Sequence, residues 1–234
     1  MQEDIAPYLN RLSNSVKERI SAILIDEAAA NVINEAFIFH FNDAASLDFQ
    51  MYYVETISNR ANFLGSERFF ARFKKQYALQ GIDNAYLDRL ESEKLSIMSL
   101  VEQGDILKLY FDYFANAQIK HHDKSVSKNL GSFFSKFVHT FKPNDYCALD
   151  NPIKNYFGLK GESFYVAFLI VSNAYNNWVN EHSSIIDNIR TQLELDNIGK
   201  SFSPSFTNLK LLDLIFWYIA NKLSKENPFN PELR

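Results

Sequence analysis

Apolar positions return at steps of three and four through most of this chain. Ile5, Tyr8, Leu9, Leu12, Val16, Ile20, Ile23 and Leu24 form one such stripe and predict an amphipathic opening helix. The period continues over 28–41 with a more apolar face, breaks at 43–46, and resumes over 47–63. Gly65-Ser66-Glu67 reads as a stop followed by a cap that launches 68–79, and Gly81 ends that helix. Asp83 opens a helical region up to Gln103, and Gly104-Asp105 punctuates before a helix over 106–119. The polar run 120–129 reads as an exposed loop. Short helices follow at 130–141 and 152–157. A long helical stretch over 162–195 carries Phe164, Phe168, Val171, Tyr175, Trp178 and Val179 as its buried stripe. Ser201–Ser205 is a predicted loop, because Pro204 disfavours helix in the residue before it. Thr207 or Asn208 then caps a last helix through Leu223, and 227–231 is a tail. The expected fold class is all-α: a compact multi-helix domain spanning 1–234. A division into two helical lobes with a cleft, meeting near 120–130, is the alternative.

Composition narrows the class. The 234 residues are 47% hydrophobic, with 21 Phe and 12 Tyr to fill a core, while 7 Gly and 6 Pro are too few for a turn-rich all-β fold. A single cysteine, Cys147, rules out an intrachain disulfide and fits a reducing compartment. The Met1-Gln-Glu-Asp-Ile start lacks the basic and apolar regions of a secretory signal. No apolar run approaches the ~20 residues of a membrane span. A cytoplasmic protein without a membrane partner is expected. Net charge is −4, but from Lys120 to Lys160 seven lysines face three acids, a local +4 that leaves −8 for the remainder. Such a segment suits either a solvated surface or contact with phosphates.

Several chemistries are not encoded. There is no glycine-rich phosphate loop and no GxSxG elbow. His121-His122-Asp123 has metal-like residue types, but adjacent histidines diverge on regular backbone, so no metal and no cofactor is expected. Cys147 near His139 lacks an orienting third group and reads as a small hydrophobe. What remains is the stretch Lys136–Gly158, a helix, a short polar loop and a second helix. Pro152 suits the first helical turn, and Asp150 or Asn151 sits at its N-cap. A carboxylate held there could stabilise a developing cation or activate water.

This stretch resembles the second half of the catalytic core in the helix-hairpin-helix superfamily of DNA glycosylases. Ser135-Lys-Phe-Val-His-Thr-Phe-Lys-Pro corresponds to the helix and loop, and Ala148-Leu149-Asp150-Asn151-Pro152-Ile153 to the segment ending in the catalytic Asp. Leu209-Lys-Leu-Leu-Asp-Leu-Ile-Phe-Trp-Tyr is similar to a closing helix of small members. The family's Leu-Pro-Gly-Val-Gly-like turn is reduced here to Leu130-Gly131-Ser132-Phe133, with one glycine.

The resemblance implies a monofunctional DNA glycosylase acting on double-stranded DNA that contains a modified or damaged base, such as the modified bases of bacteriophage DNA. Asp150 takes the catalytic position. Lys128, Ser132, Lys136 and Lys142 are the expected DNA contacts, and Tyr146 and Trp178 the expected base pocket, since a flipped base needs aromatic walls. The competing expectation, favoured by the missing glycine-rich turn and the acidic remainder, is a non-catalytic helical interaction or regulatory protein, for example a subunit of an antiviral defence system.

Overall fold

The computed structural model describes residues 5–121 and 124–226. The tail at 227–231, together with His122 and Asp123, lies outside them. Fourteen α-helices, a π turn, a 3-10 turn at Ser203–Ser205 where a loop was expected, and one two-stranded sheet form the regular structure of the described residues, so the all-α class holds.

The first half comprises α1 (Ile5–Leu24), α2 (Ala29–Phe41), α3 (Ala44–Thr56), α4 (Arg60–Gly65), α5 (Phe69–Gln76), α6 (Asn84–Ser92), α7 (Lys94–Gln103) and α8 (Ile106–Leu109), the last running into a π turn at Tyr110–Phe114. A hairpin of β1 (Ala117–His121) and β2 (Lys124–Lys128) follows. The second half comprises α9 (Gly131–Phe141), α10 (Asn151–Tyr156), α11 (Phe164–Glu181), α12 (Ser183–Leu193), α13 (Asn197–Phe202) and α14 (Asn208–Glu226).

Several predicted helices are shorter than their periodicity suggested. The 47–63 helix is interrupted at Ser58, whose φ of 53° is left-handed and whose N–H donates to Thr140 O at 2.8 Å. Asn59 then caps α4 through the Asn62 N–H. The helix predicted to reach residue 79 stops at Gln76, with Ala78 at φ 49°. The 162–195 stretch breaks at His182, which leaves helical geometry at φ −131° while its ring stacks on Trp178, centroids 4.6 Å apart.

The predicted 106–119 helix and 120–129 loop are both corrected by the hairpin. Ile119 pairs with Val126 and Ala117 with Lys128 in antiparallel register. Ala117 and Ile119 are buried while Gln118 is exposed, the two-residue alternation of a half-buried strand. That alternation was too short to stand out from the polar run around it.

Phenylalanines knit the core. Phe63, Phe69, Phe70, Phe73, Phe133 and Phe137 are each essentially fully buried. Their rings meet edge-to-face, as Phe63 does with Phe69 at 4.8 Å, or stacked, as Phe73 does with Phe133 at 5.4 Å. Against this cluster lies α9, which buries Phe133, Phe134, Phe137 and Val138 and so orients Lys136 on its remaining face. Gly131 opens α9 because nothing larger fits: a Cβ there would meet the Phe164 ring at 2.3 Å. The glycine thus serves close packing at this site.

Candidate active site

The segment 146–150 between α9 and α10 has no regular structure, yet nearly every residue in it is tied down by a distant group. Tyr146 O receives the His139 Nδ1 hydrogen at 2.7 Å. Cys147 N–H donates to Ser172 Oγ at 3.1 Å, and Ala148 N–H to Asp213 Oδ2 at 2.8 Å. The Ser135 hydroxyl donates to Leu149 O. At its end Asp150, only 7% exposed, accepts the Ile153 N–H at 3.1 Å and caps α10, with Pro152 in the first turn. The strap therefore fixes Asp150 from α9, α11 and α14 at once.

His139 is neutral and of one tautomer. Its Nδ1 donates to a carbonyl, so Nε2 must accept, and the Tyr53 hydroxyl at 3.0 Å supplies the hydrogen. Burial lowers its pKa to about 4. The same burial pushes the Cys147 thiol well up, with the nearby Asp213 carboxylate adding to it, which removes it as a nucleophile.

Beside this strap lies a cavity of about 360 Å³, within the ~300–1,000 Å³ of small-molecule sites. Its walls come from helices far apart in sequence. Ser46, Phe49 and Gln50 share one face of α3 at i, i+3, i+4, and Lys210, Asp213, Leu214 and Trp217 one face of α14. Phe39 and His40 of α2, Gln76, Tyr77, Lys136, Ala148 and Ile153 contribute the rest of the wall. Exposed Ala45 and Ala78 mark the rim, while Gln50, Lys210 and Asp213 are buried. Four aromatic side chains thus line a recess containing two ammonium groups and one carboxylate. His40, whose Nε2 donates to Leu214 O at 2.9 Å, has its pKa lowered to about 4, chiefly by burial, and adds no charge.

A second recess of about 500 Å³ adjoins it and is lined by Lys128, Asn129, Gly131, Ser132, Lys136 and Asn151 among others. Lys136 and Tyr77 line both. The Lys136 ammonium donates to Ser132 Oγ at 3.0 Å. Burial lowers its pKa, and the fields of Asp150 and Asp213 partly oppose that. Asp150 joins neither lining, but its neighbours do: Ala148 and Ile153 face the cavity, and Asn151 faces the groove.

Three of the four expected DNA contacts, Lys128, Ser132 and Lys136, therefore share one groove. Lys128 is also engaged with the carbonyls of Gln80 and Gly81, at 3.2 and 3.4 Å. Lys142 is not among the groove residues; it ends α9, its N–H bonded to Val138 O. The expected base pocket needs correction. Trp178 is fully buried, with Nε1 donating to Ser21 Oγ at 2.9 Å and its ring on His182, so it belongs to the packing of α11 on α1. Tyr146 stacks on Phe168 at 5.2 Å and lines neither recess. The aromatic wall instead comes from Phe39, Phe49, Tyr77 and Trp217. Sequence offered one signal for it. Lys210 and Asp213 interrupt the otherwise apolar run 209–220 of α14, and a charge buried in such a run needs a reason.

No family model matches the chain, and neither a curated protein nor a solved structure does. Among the described residues no helix is long and apolar enough to cross a membrane.

Proposed function

We propose that this protein is a monofunctional DNA glycosylase that flips a modified base into the α3/α14 cavity and hydrolyses its N-glycosidic bond. The observation that carries the reading is the joining of two recesses through Lys136. An aromatic cavity of base size opens beside a lysine- and hydroxyl-bearing groove, with a clamped carboxylate, Asp150, behind the junction. The base enters the cavity, the backbone phosphates follow Lys128, Ser132 and Lys136, and the deoxyribose lies at the junction. Flipping is offset by stacking against the cavity walls.

The chemistry is simple in outline. As the C1′–N bond lengthens, its electron pair goes to the base and positive charge builds on the sugar. Asp150 stabilises that charge and accepts a proton from the water that attacks C1′, while the departing base takes up a proton. Asp150 lines neither recess in the free protein, so the step requires the bound sugar to part the side chains over it. A carboxylate then ~4 Å from the cation, at an effective dielectric constant of ~20, is worth ~4 kcal/mol, or roughly 10³ in rate.

The test is incubation with duplexes and phage genomic DNAs carrying different base modifications, followed by alkaline cleavage. Abasic sites formed by the wild type and lost in Asp150→Asn support the reading. Absence of abasic sites across the panel, together with duplex binding that does not weaken as salt rises, would leave a helical interaction module as the better description.

A further inference from the structure

Two groups in the cavity are built for a ligand with particular hydrogen-bonding edges. The first is Gln50, 1% exposed, whose carboxamide nitrogen and oxygen both lack a partner. A buried amide left unpaired at both ends costs several-fold in folding equilibrium per group, so such groups normally have an occupant. The second is Lys210. Its ammonium lies 4.2 Å from the Tyr53 ring centre, 5.2 Å from Phe49 and 5.6 Å from Phe206, and no carboxylate among the described residues is within ion-pair distance. Asp213, one turn on, keeps Oδ2 on the Ala148 N–H and leaves Oδ1 unpaired. An aromatic cage holds the lysine charge in place without consuming its hydrogens.

Hydrogen-bond chemistry then discriminates. A carboxamide can pair with the lactam edge of a keto base or, turned over, with the aminopyridine edge of adenine or cytosine, so Gln50 alone is indifferent. An ammonium has three donors and no acceptor. It welcomes a carbonyl oxygen and repels an amino group at the same place. Burial lowers the Lys210 pKa and the nearby Asp213 carboxylate opposes this.

We propose that Lys210, with Gln50, makes the cavity a reader of oxo bases, selecting a nucleobase with an exocyclic carbonyl over its amino counterpart. This rests on the glycosylase reading for the setting, but the recognition is tested separately. Matched duplexes carrying hypoxanthine or adenine, and uracil or cytosine, differ by one carbonyl-for-amino exchange. The wild type should favour the oxo member of each pair by ~100-fold in kcat/KM, the scale of one hydrogen bond to a charged group. Lys210→Met should bring that ratio to within a few-fold while the protein still melts cooperatively.

Free hypoxanthine and adenine, titrated by calorimetry into the full chain, provide a measurement independent of catalysis. Hypoxanthine binding that Lys210→Met removes, without excision from any duplex, upholds the reader and overturns the glycosylase reading. Equal use of both members, a preference for the amino member, a ratio unmoved in Lys210→Met, or no binding of either the free bases or the duplexes overturns the reader. In that last outcome Gln50 and Lys210 are served by water alone.

Discussion

Asp150 caps α10 and, on the proposed function, also carries the chemistry; two substitutions divide those duties. Its Oδ1 accepts the Ile153 N–H at 3.1 Å in a setting where the side chain is 7% exposed. Asn keeps an oxygen at that place and caps helices about as well as Asp. Losing the charge near a helix N-terminus costs ~0.3–1 kcal/mol. Asp150→Asn should therefore melt within ~2–4 °C of wild type, using the scaling for chains of this size. Ala removes the acceptor and strands the buried Ile153 N–H, which puts the lost cap near the upper end of its range, ~2 kcal/mol. Asp150→Ala should then melt ~4–8 °C lower. Excision should fall in both by a similar factor, roughly 10³, since neither retains the charge. Differential scanning calorimetry and single-turnover abasic-site assays on the same preparations read the two effects. Asp150→Asn excising at the wild-type rate would reduce Asp150 to a cap. Equal melting of the two variants would sink the capping argument instead.

Three further outcomes follow from the packing. Gly131→Ala should destabilise by ~1–3 kcal/mol through overpacking, because its Cβ meets Phe164 Cγ at 2.3 Å; a double-mutant cycle with Phe164→Leu, followed by chemical denaturation, should recover part of that loss, and strict additivity would refute the contact. Trp178→Ala should cost ~3–5 kcal/mol as a core truncation yet leave the choice of base unchanged in competition assays; altered base preference would return Trp178 to the pocket. His139 is neutral with a folded pKa of about 4 against an ordinary 6.5, so its stability is fully present above 6.5 and is lost as pH falls through 4. At ~1.4 kcal/mol per pH unit this amounts to ~3 kcal/mol. Urea titrations of wild type and His139→Gln should diverge least at pH 4 and most above 6.5, since the opposing carboxyl of Asp213, raised by burial, is common to both; a pH-independent difference would refute it.

Much of the helical order was legible because the apolar stripes are long. The stripe from Ile5 to Leu24 became one helix with Val16, Ile20 and Leu24 buried, and Pro152 marked the start of α10 behind an Asp150 cap. The interruptions were not legible. Ser58, Ala78 and His182 break helices without proline or glycine: Ser58 with a bond to distant Thr140, Ala78 in a left-handed turn, and His182 with its ring stacked on Trp178. The site was half visible. Lys128, Ser132 and Lys136 lie close in sequence and come together through the resemblance, whereas Tyr77 and Phe164 of the same groove do not. The cavity joins α3 to α14 across more than a hundred residues, and no local pattern links Gln50 to Lys210. Trp178 misled because a large aromatic on an apolar stripe carries the same signature whether it faces a core or a ligand.

The helix carrying Ser46, Phe49 and Gln50 begins at a self-contained cap, Asp43 on the Ser46 N–H at 2.9 Å. Its contribution to the recess is therefore a short cassette at the start of the helix, while Tyr53, further along, ties α3 to the clamp through His139 at 3.0 Å. On the proposed function, exchanges confined to Ser46, Phe49 and Gln50 would retune the lining of the recess while leaving the Asp150 cap in place, which makes the start of α3 the natural target for directed evolution of specificity.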